Sequence, residues 1–356
     1  MTDPMEHGRR GGRVSRRRAL TLIAAAAGLP LLGRDSALRG LAAPRYRWRG
    51  SALGARAELV VAHPDAAVAR RATALCLDEI GRLECAFSLF RADSEISRLN
   101  RDGILEQPSQ DLRSLLAEAL RFGAVSAGAF DPSVQPLWRL YARHFAAAGA
   151  DPVGPSAREV AAACALVDYR GIEIAAGRVA FARPGMALTL NGIAQGYITD
   201  RVADLLRDLG FARVLVQLGE IRALDAPPDE PAWRIGVPDP EAPERLLSRL
   251  ALCDRAAATS SGLAARFDPA ARHHHLFDPS TGGSPHRWRS VTVVAGRATT
   301  ADALSTALAV APAEAAAGLL RDGGADYAVA ETLDRERRIV PGRRAGPDAD
   351  ALSAPA

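Results

Sequence analysis

The sequence predicts an α+β protein with mixed or antiparallel sheets and packed helices. Amphipathic segments of helical spacing and short apolar segments of strand length both occur, without the strict alternation that builds a doubly wound sheet. No G-x-G-x-x-G follows a strand and no P-loop is present, so a nucleotide would have to bind through another type of site. The 48% hydrophobic content is sufficient for a large core in one domain or two closely packed ones.

The N-terminus has the pattern of an export signal. Arginines crowd residues 9–18, an apolar run of 15 residues follows at 19–33, and small residues come next at 41–43. Arg16 and Arg17 resemble a twin-arginine signal. The run is short for a bilayer, and no cysteine stands near its end to anchor a lipoprotein. We expect a signal peptide at residues 1–43 and an exported, periplasmic protein without a stable membrane span; the alternative is a basic amphipathic N-terminus on a cytosolic protein.

The charge distribution argues against nucleic-acid binding. The formal net charge is +4, but residues 1–43 contain eight arginines against three acidic residues, so the remainder is at −1. A body with that charge is a poor polyanion binder. All 45 basic residues are arginine. The absence of lysine excludes a Schiff-base lysine, a Walker lysine and a Ser-Lys dyad.

The elements of the first half follow from periodicity and turn residues. Asp65 opens a long helix, two prolines interrupt a loop after Gly128, and Arg183-Pro184-Gly185 is a hairpin-turn signal between two short strands. We expect a strand over 46–61, helices over 64–87, 111–123 and 157–166, loops over 91–100 and 128–138, and the two strands within 171–190.

The second half continues the mixture. Gly210 ends a helix, and short apolar segments bounded by turn residues predict strands. We expect helices over 192–209, 300–310 and 313–320, strands over 214–218, 256–261, 274–277, 291–294 and 327–330, and proline-rich loops around 233–237. A Pro/Ala/Asp-rich tail over 341–356 is expected to be disordered. One domain then spans residues 44–340.

Asp302, Ser305 and Thr306 form the most informative cluster. They lie at i, i+3 and i+4, on one face of the first turn of a helix. A carboxylate and two hydroxyls suit Mg²⁺, and the helix N-terminus favours a phosphate. The alternative is plain capping by Thr300 or Asp302.

Three further stretches carry candidate chemistry. Gly192 and its neighbour Gly196 flank a turn into a helix. The backbone there can approach a ligand closely; the alternative is a simple left-handed turn together with helix–sheet packing. One of His273, His274 and His275 could be a general base. The alternatives are that the three form a solvated strand end or bind a transition metal. Asp131 before Pro132 is either a site residue or a structural turn.

The order of seven motifs resembles the ApbE family of FAD:protein FMN transferases. The resemblance covers roughly residues 50–330. The motifs are residues 87–90 with 93–97, 128–134, 191–197, 218–221, 259–262, 275–279 and 301–306. Position 219 carries one glycine before Glu220, where the family commonly has two.

The resemblance implies a T-fold-like architecture and a set of site residues. It implies that Asp302, Ser305 and Thr306, with the carbonyl of Gly192, bind Mg²⁺, and that His275 is the catalytic base. The residues implied to contact FAD are Leu53, Phe90, Ala129, Phe130, Asp131, Thr189, Gln195 and Phe277.

The resemblance also implies the reaction and the partner. FMN would pass from FAD to a Thr or Ser hydroxyl on an exported segment of a respiratory redox protein, with release of AMP. The alternatives are a periplasmic FAD-binding protein without transfer, an FAD pyrophosphatase that yields FMN and AMP, and a structural periplasmic protein.

Overall fold

The computed structural model describes residues 45–52, 55–226 and 231–346. The predicted signal peptide, Leu53 and residues 347–356 of the predicted tail lie outside these ranges. The helices are α1 Ala66–Phe87, α2 Glu95–Asp102, α3 Gln110–Val125, α4 Gln135–Ala146, α5 Ala157–Cys164, α6 Ala194–Asp208, α7 Ala298–Val310 and α8 Ala316–Gly323. The strands are β1 Arg45–Ala52, β2 Ala55–Ala62, β3 Ile104–Glu106, β4 Ile172–Ile174, β5 Arg178–Phe181, β6 Val214–Gln217, β7 Ile221–Leu224, β8 Trp233–Pro238, β9 Leu246–Leu252, β10 Arg255–Ser260, β11 Trp288–Ala295, β12 Ala325–Thr332 and β13 Arg337–Pro341.

An eight-stranded sheet forms the centre of the molecule. Its strand order is β1-β2-β6-β7-β10-β11-β12-β13, and every neighbouring pair is antiparallel. A three-stranded sheet, β3-β5-β4, and a separate β8–β9 hairpin complete the strands in the described ranges. The α+β prediction is confirmed, in its antiparallel form.

Both faces of the large sheet are buried. Val216 and Val293 belong to the core packed by helices, whereas their neighbours Leu215 and Val294 belong to the core covered by the β8–β9 hairpin. Because side chains alternate along a strand, two-sided burial requires apolar residues at successive positions. This explains why β6 begins with an uninterrupted apolar run.

Local capping fixes where four of the eight described helices begin. The side chains of Asp65, Ser94 and Ser109 accept backbone N–H bonds at the starts of α1, α2 and α3. Ser156 and Glu159 form a reciprocal capping box on α5. Each satisfies amides that the helix leaves unpaired, typically worth about 1 kcal/mol.

Several expected loops are regular structure. The loop expected at 91–100 contains the start of α2, which Ser94 caps. The loop at 128–138 runs into α4, where Pro136 fits the first turn because its missing N–H needs no partner there. The region around 233–237 is strand β8, whose buried Trp233 faces the sheet.

Two expected strands are absent from their positions. β4 and β5 pair across residues 175–177, so the turn precedes Arg183, and the segment near Leu188 is held by Asn100 instead. Residues 274–277 form a single bridge, His274 to Arg266. In both places side-chain hydrogen bonds replace a strand ladder.

The end of the described chain packs on the sheet. β13 continues to Pro341, and the backbone N–H groups of Gly342 and Arg344 donate to the carbonyl of Asp326. The predicted start of the tail therefore falls inside packed structure. Across the described ranges, no helix combines the length and apolar character needed to cross a membrane.

Candidate functional site

One cavity collects most of the residues singled out by the sequence. It lies where the turn after β6, the end of β10, the starts of α6 and α7, and the loops at 129–134 and 275–277 meet. The lining residues are Ala129, Phe130, Asp131, Pro132, Val134, Trp138, Thr189, Asn191, Gly192, Gln195, Glu220, Thr259, Ser260, Ser261, Ala264, His275, Leu276, Phe277, Asp302, Thr306 and Val310. A wider groove shares Ala129, Asp131 and Val310 with this cavity. The cavity and the groove are therefore neighbours.

Helices α6 and α7 cap each other at the floor of the cavity. The buried carboxylate of Asp200, on α6, accepts bonds of 2.9 Å from the backbone N–H groups of Ala298 and Thr299. In return Asp302 Oδ2, on α7, accepts a 2.9 Å bond from the N–H of Gly196. Asp200 occupies the first two amides of α7, so the alternative of capping by Thr300 or Asp302 is wrong, and these two amides are not free for the phosphate predicted at this N-terminus.

Glycine is required where the two helices touch. A Cβ on Gly196 would come within 2.3 Å of the Ala298 carbonyl oxygen, and a Cβ on Gly192 within 2.9 Å of Thr306 Oγ1. Neither glycine has a positive φ. The left-handed-turn alternative is therefore wrong, and close approach of the backbone explains both positions.

A chain of hydroxyls borders Asp302. Ser305 Oγ donates to the Asp302 carbonyl over 2.9 Å, so Ser260 Oγ must donate the 2.8 Å bond that joins it to Ser305 Oγ. Thr306 Oγ1 lies 3.3 Å from Ser260 Oγ. Thr306 and Ser260 line the cavity, whereas the buried Ser305 does not. The polar side-chain atoms that border Asp302 here are all oxygens.

Two buried carboxylates share this end of the cavity. Burial raises the pKa of Asp302 to about 7, opposed by the N–H of Gly196 and reinforced by Asp200. Burial and the Asp302 charge raise the pKa of Glu220 well above its usual range. Gly219, with φ of 99°, makes the tight turn that presents Glu220. Two neighbouring buried carboxylates are the main electrostatic feature of the site.

Asp131 organises the opposite wall. Its Oδ1 accepts from the N–H and hydroxyl of Ser133, and its Oδ2 accepts from the N–H of Tyr169. Burial raises its pKa, and these three donors oppose the rise. The Thr189 N–H donates to the Pro132 carbonyl over 2.8 Å, tying the two loops together. Asp131 therefore both faces the cavity and holds the wall in shape.

The three histidines point to three different carbonyls. Ring nitrogens of His273, His274 and His275 bind the carbonyls of Val153, Pro285 and Ala265, at 3.0, 2.9 and 3.2 Å. This divergence argues against the transition-metal alternative. His275 Nδ1 must donate to the carbonyl, so in the neutral ring Nε2 carries the lone pair. Burial lowers the pKa of His275 to about 4, which keeps this ring a neutral acceptor near pH 7.

An aromatic cluster supports the loop that carries His275. Phe277 packs against Tyr141 of α4 with ring centroids 5.1 Å apart, and against Phe267 at 6.0 Å. Trp138, also from α4, contacts Phe267 and lines the cavity. α4 thus positions the loop and supplies an apolar wall.

The predicted site residues divide into those that the structure brings together and those that it does not. The cavity is lined by Ala129, Phe130, Asp131, Thr189, Gly192, Gln195, His275, Phe277, Asp302 and Thr306. Ser305 reaches it only through hydrogen bonds. Phe90 is 42% exposed and does not line it. Leu53 lies outside the described residues.

Sequence reasoning missed four residues that shape the site. Glu220, Ser260 and Trp138 line the cavity, and Asp200 caps α7. Glu220 and Ser260 lie within motifs that were recognised, so a carboxylate and a hydroxyl there were visible signals. Nothing local marked Asp200, which acts on residues nearly 100 positions away.

The donor set fits Mg²⁺. The described ranges contain no group of three or more His, Cys, Asp and Glu side chains placed to hold a metal. The oxygens of Asp302 and Thr306 suit a hard cation that keeps water or phosphate as its other ligands. Among the described lining residues no cysteine is present, so the thiolate ligands typical of structural zinc sites are missing.

Comparison with known proteins gives one consistent result. A sequence model of the ApbE family matches residues 53–329. The FAD:protein FMN transferase of Treponema pallidum is 31% identical over 262 residues, which cover 67% of this chain and 71% of the relative. That of Vibrio cholerae is 32% identical over 229 residues, 63% of this chain and 68% of the relative.

Solved structures agree with the sequence matches. The flavin transferase ApbE from Vibrio cholerae has a TM-score of 0.72 at 26% identity, covering 84% of this chain and 97% of that chain. The ApbE protein from Thermotoga maritima has a TM-score of 0.71 at 28% identity, with the same coverage. These similarities extend over most of the described fold.

Proposed function

The chain belongs to the ApbE family, and on that premise we propose that it is an FAD:protein FMN transferase. It would move FMN from FAD to a Thr or Ser hydroxyl of an acceptor protein and release AMP. One observation carries the proposal: an oxygen-rich end around Asp302 and a neutral histidine base line the same cavity. Transfer of a phosphoryl group from a pyrophosphate to a hydroxyl is assisted by a cation that offsets charge and by a base that accepts the hydroxyl proton.

Asp302 and Thr306, with the backbone at Gly192, are the residues that would hold Mg²⁺. A bound Mg²⁺ would neutralise charge on the FAD pyrophosphate and favour AMP as the leaving group. The reciprocal capping by Asp200 and Gly196 fixes where the Asp302 carboxylate stands. The chain thereby orients its own ligands before substrate arrives.

His275 would act as the general base. Its Nε2 accepts the proton of the acceptor hydroxyl, while Nδ1–H stays bonded to the Ala265 carbonyl, which fixes the tautomer. The hydroxyl oxygen forms a bond to the FMN-side phosphorus, and the pyrophosphate P–O bond to AMP breaks. Such base assistance typically contributes about 10²–10⁴-fold.

The remaining lining residues would contact FAD. Trp138, Phe130 and Phe277 offer apolar surface for flat rings, and the wider groove adjoins the cavity at Ala129. The groove would give an extended ligand room beyond the oxygen-rich end.

We also propose that the protein works after export. The support is residues 1–43, with their arginine cluster and short apolar run. A periplasmic enzyme would meet acceptors that are themselves exported, such as segments of respiratory redox proteins.

A reconstituted transfer assay tests the proposal. Protein lacking residues 1–43 is incubated with FAD, Mg²⁺ and an acceptor domain that carries a target threonine, and the product is analysed by mass spectrometry. We expect covalent FMN on the acceptor, with loss of transfer in EDTA and in Asp302→Asn. Asp208→Asn, at an exposed carboxylate on α6, is the matched control and should transfer normally.

The outcomes separate the alternatives. FMN and AMP formed without any acceptor would indicate an FAD pyrophosphatase. Bound but unreacted FAD would indicate a binding protein. Full transfer by Asp302→Asn would remove the proposed cation site.

A further inference from the structure

Glu220 is a buried acidic residue beside Asp302 that the ligand set named above does not include. The residue is only 2% exposed and lines the cavity. Its carboxylate accepts from the N–H of Thr259, whereas Oε2 is buried without a hydrogen-bond partner. A buried carboxylate oxygen without a hydrogen-bond partner destabilises the folded state, so we expect a bound ion or ligand to contact it.

The protein itself supplies no counter-charge within its described residues. No arginine lines the cavity, and neither Glu220 nor Asp302 has an ion-pair partner in that part of the chain. Asp200, by contrast, has Arg297 at 3.3 Å and Arg222 at 3.8 Å. Glu220 and Asp302 are therefore two buried carboxylates whose charge a bound cation would offset.

The backbone holds Glu220 in this position. Gly219 adopts a φ of 99°, and the Leu218 N–H donates to the Glu220 carbonyl to close the turn. A Cβ on Gly219 would come within 2.8 Å of Gln195 Nε2, so the Gln195 amide packs directly on this turn. The turn and its cover give the carboxylate little freedom to leave the cavity.

We propose that Glu220 is a second anionic residue of the cation site, so that two carboxylates rather than Asp302 alone bind Mg²⁺. This inference rests on the proposed function, because it concerns the same cation. It assigns the orphaned Oε2 a role and gives the Mg²⁺ site two carboxylate ligands. Two carboxylates also raise the affinity for Mg²⁺ in the absence of FAD.

Mg²⁺ binding measured by calorimetry without FAD tests the inference. Glu220→Gln keeps the shape and removes the charge, and we expect the Kd for Mg²⁺ to rise at least roughly 10-fold, because losing even a group that only supports a metal ligand costs about 10–100-fold. The Tm in EDTA should be no lower than that of the wild type, because the uncompensated charge is gone. Glu173→Gln, on the exposed side of β4, is the control and should change neither value.

Parallel variants separate the possible failures. Glu220→Asp keeps the charge on a shorter side chain and should give an intermediate Kd, which also covers the case in which Glu220→Gln does not fold. Wild-type Mg²⁺ affinity in a folded Glu220→Gln, with loss in Asp302→Asn, would overturn this inference and leave the proposed function standing. Unchanged affinity in Asp302→Asn, or no Mg²⁺ binding by the wild type, would overturn both.

Discussion

Replacing Gly196 by alanine should damage the active cavity more than any other single added methyl group on α6. The new Cβ would lie 2.3 Å from the Ala298 carbonyl oxygen and 2.8 Å from Asp302 Cβ. Ordinary van der Waals contact begins at 3.4 Å, so α6 and α7 must separate by about 1 Å. The obstacle is backbone, which cannot rotate away as a side-chain end can.

The size of the effect follows from this displacement. Overpacking of this kind lowers the free energy of unfolding by about 1–3 kcal/mol. The higher helix propensity of alanine offsets about 1 kcal/mol of that loss. The Gly196 N–H to Asp302 bond lengthens at the same time. Misplacing a catalytic group by about 1 Å can lower the rate about 10²-fold. We therefore expect a modest fall in Tm and a large fall in FMN transfer.

The assay compares two glycine-to-alanine variants. Gly81 lies in α1, and a methyl group added to it would meet no atom within 4 Å, so Gly81→Ala should raise the free energy of unfolding by about 0.5–1 kcal/mol and leave transfer unchanged. Thermal melts by circular dichroism and initial rates of flavin transfer are measured for both. Equal Tm values and equal rates for the two variants would refute the packing argument.

Three other perturbations have defined outcomes. His275→Ala should retain FAD binding but lose about 10²–10⁴-fold in transfer. At saturating Mg²⁺, which keeps Asp302 ionised, the wild-type kcat/KM should rise with pH through about 4, because burial lowers the pKa of His275 to about 4 and only the neutral ring accepts a proton. An acid limb near 6.5 that persists at saturating Mg²⁺ would contradict this. Asp200→Asn should lower the free energy of unfolding by about 1–2 kcal/mol, measured by thermal melts, because it weakens the cap on Ala298 and Thr299. FMN transfer should fall as well, and normal transfer in the folded variant would show that this cap does not support catalysis. Arg16→Lys with Arg17→Lys should leave the protein inside the cell on fractionation, whereas continued export would exclude a twin-arginine route.

The elements that the sequence predicted correctly are those with strong local signals. The long helix after Asp65 has apolar residues at helical spacing and is present, and the helix of Asp302, which is buried on nearly all sides, is present as well. The errors fall where local signals are ambiguous. Two prolines favoured a loop over 128–138, although Pro136 lies in the first turn of α4, and the proline-rich surroundings of Trp233 concealed β8.

The candidate site shows the same division. Asp302 and Thr306 could be placed on one helical face from their spacing, and His275 could be proposed as a base from its residue type. That these three residues share one cavity could be predicted only from the resemblance to a family with the same order of motifs. Phe90 is 42% exposed and is not among the lining residues, so its contact with FAD stays a prediction.

The sequence by itself determined the class of fold, the order of motifs and the residue types available for chemistry, since these depend on neighbours within a few positions. The tertiary structure decided which groups are charged, buried and paired. Gly196 and Asp302 are 106 positions apart, and Asp200 and Ala298 are 98 apart, yet each pair shares a hydrogen bond. The orphaned oxygen of Glu220 likewise exists only because the turn after β6 folds against α6 and α7. Such contacts arise from packing of distant segments, which no local pattern encodes.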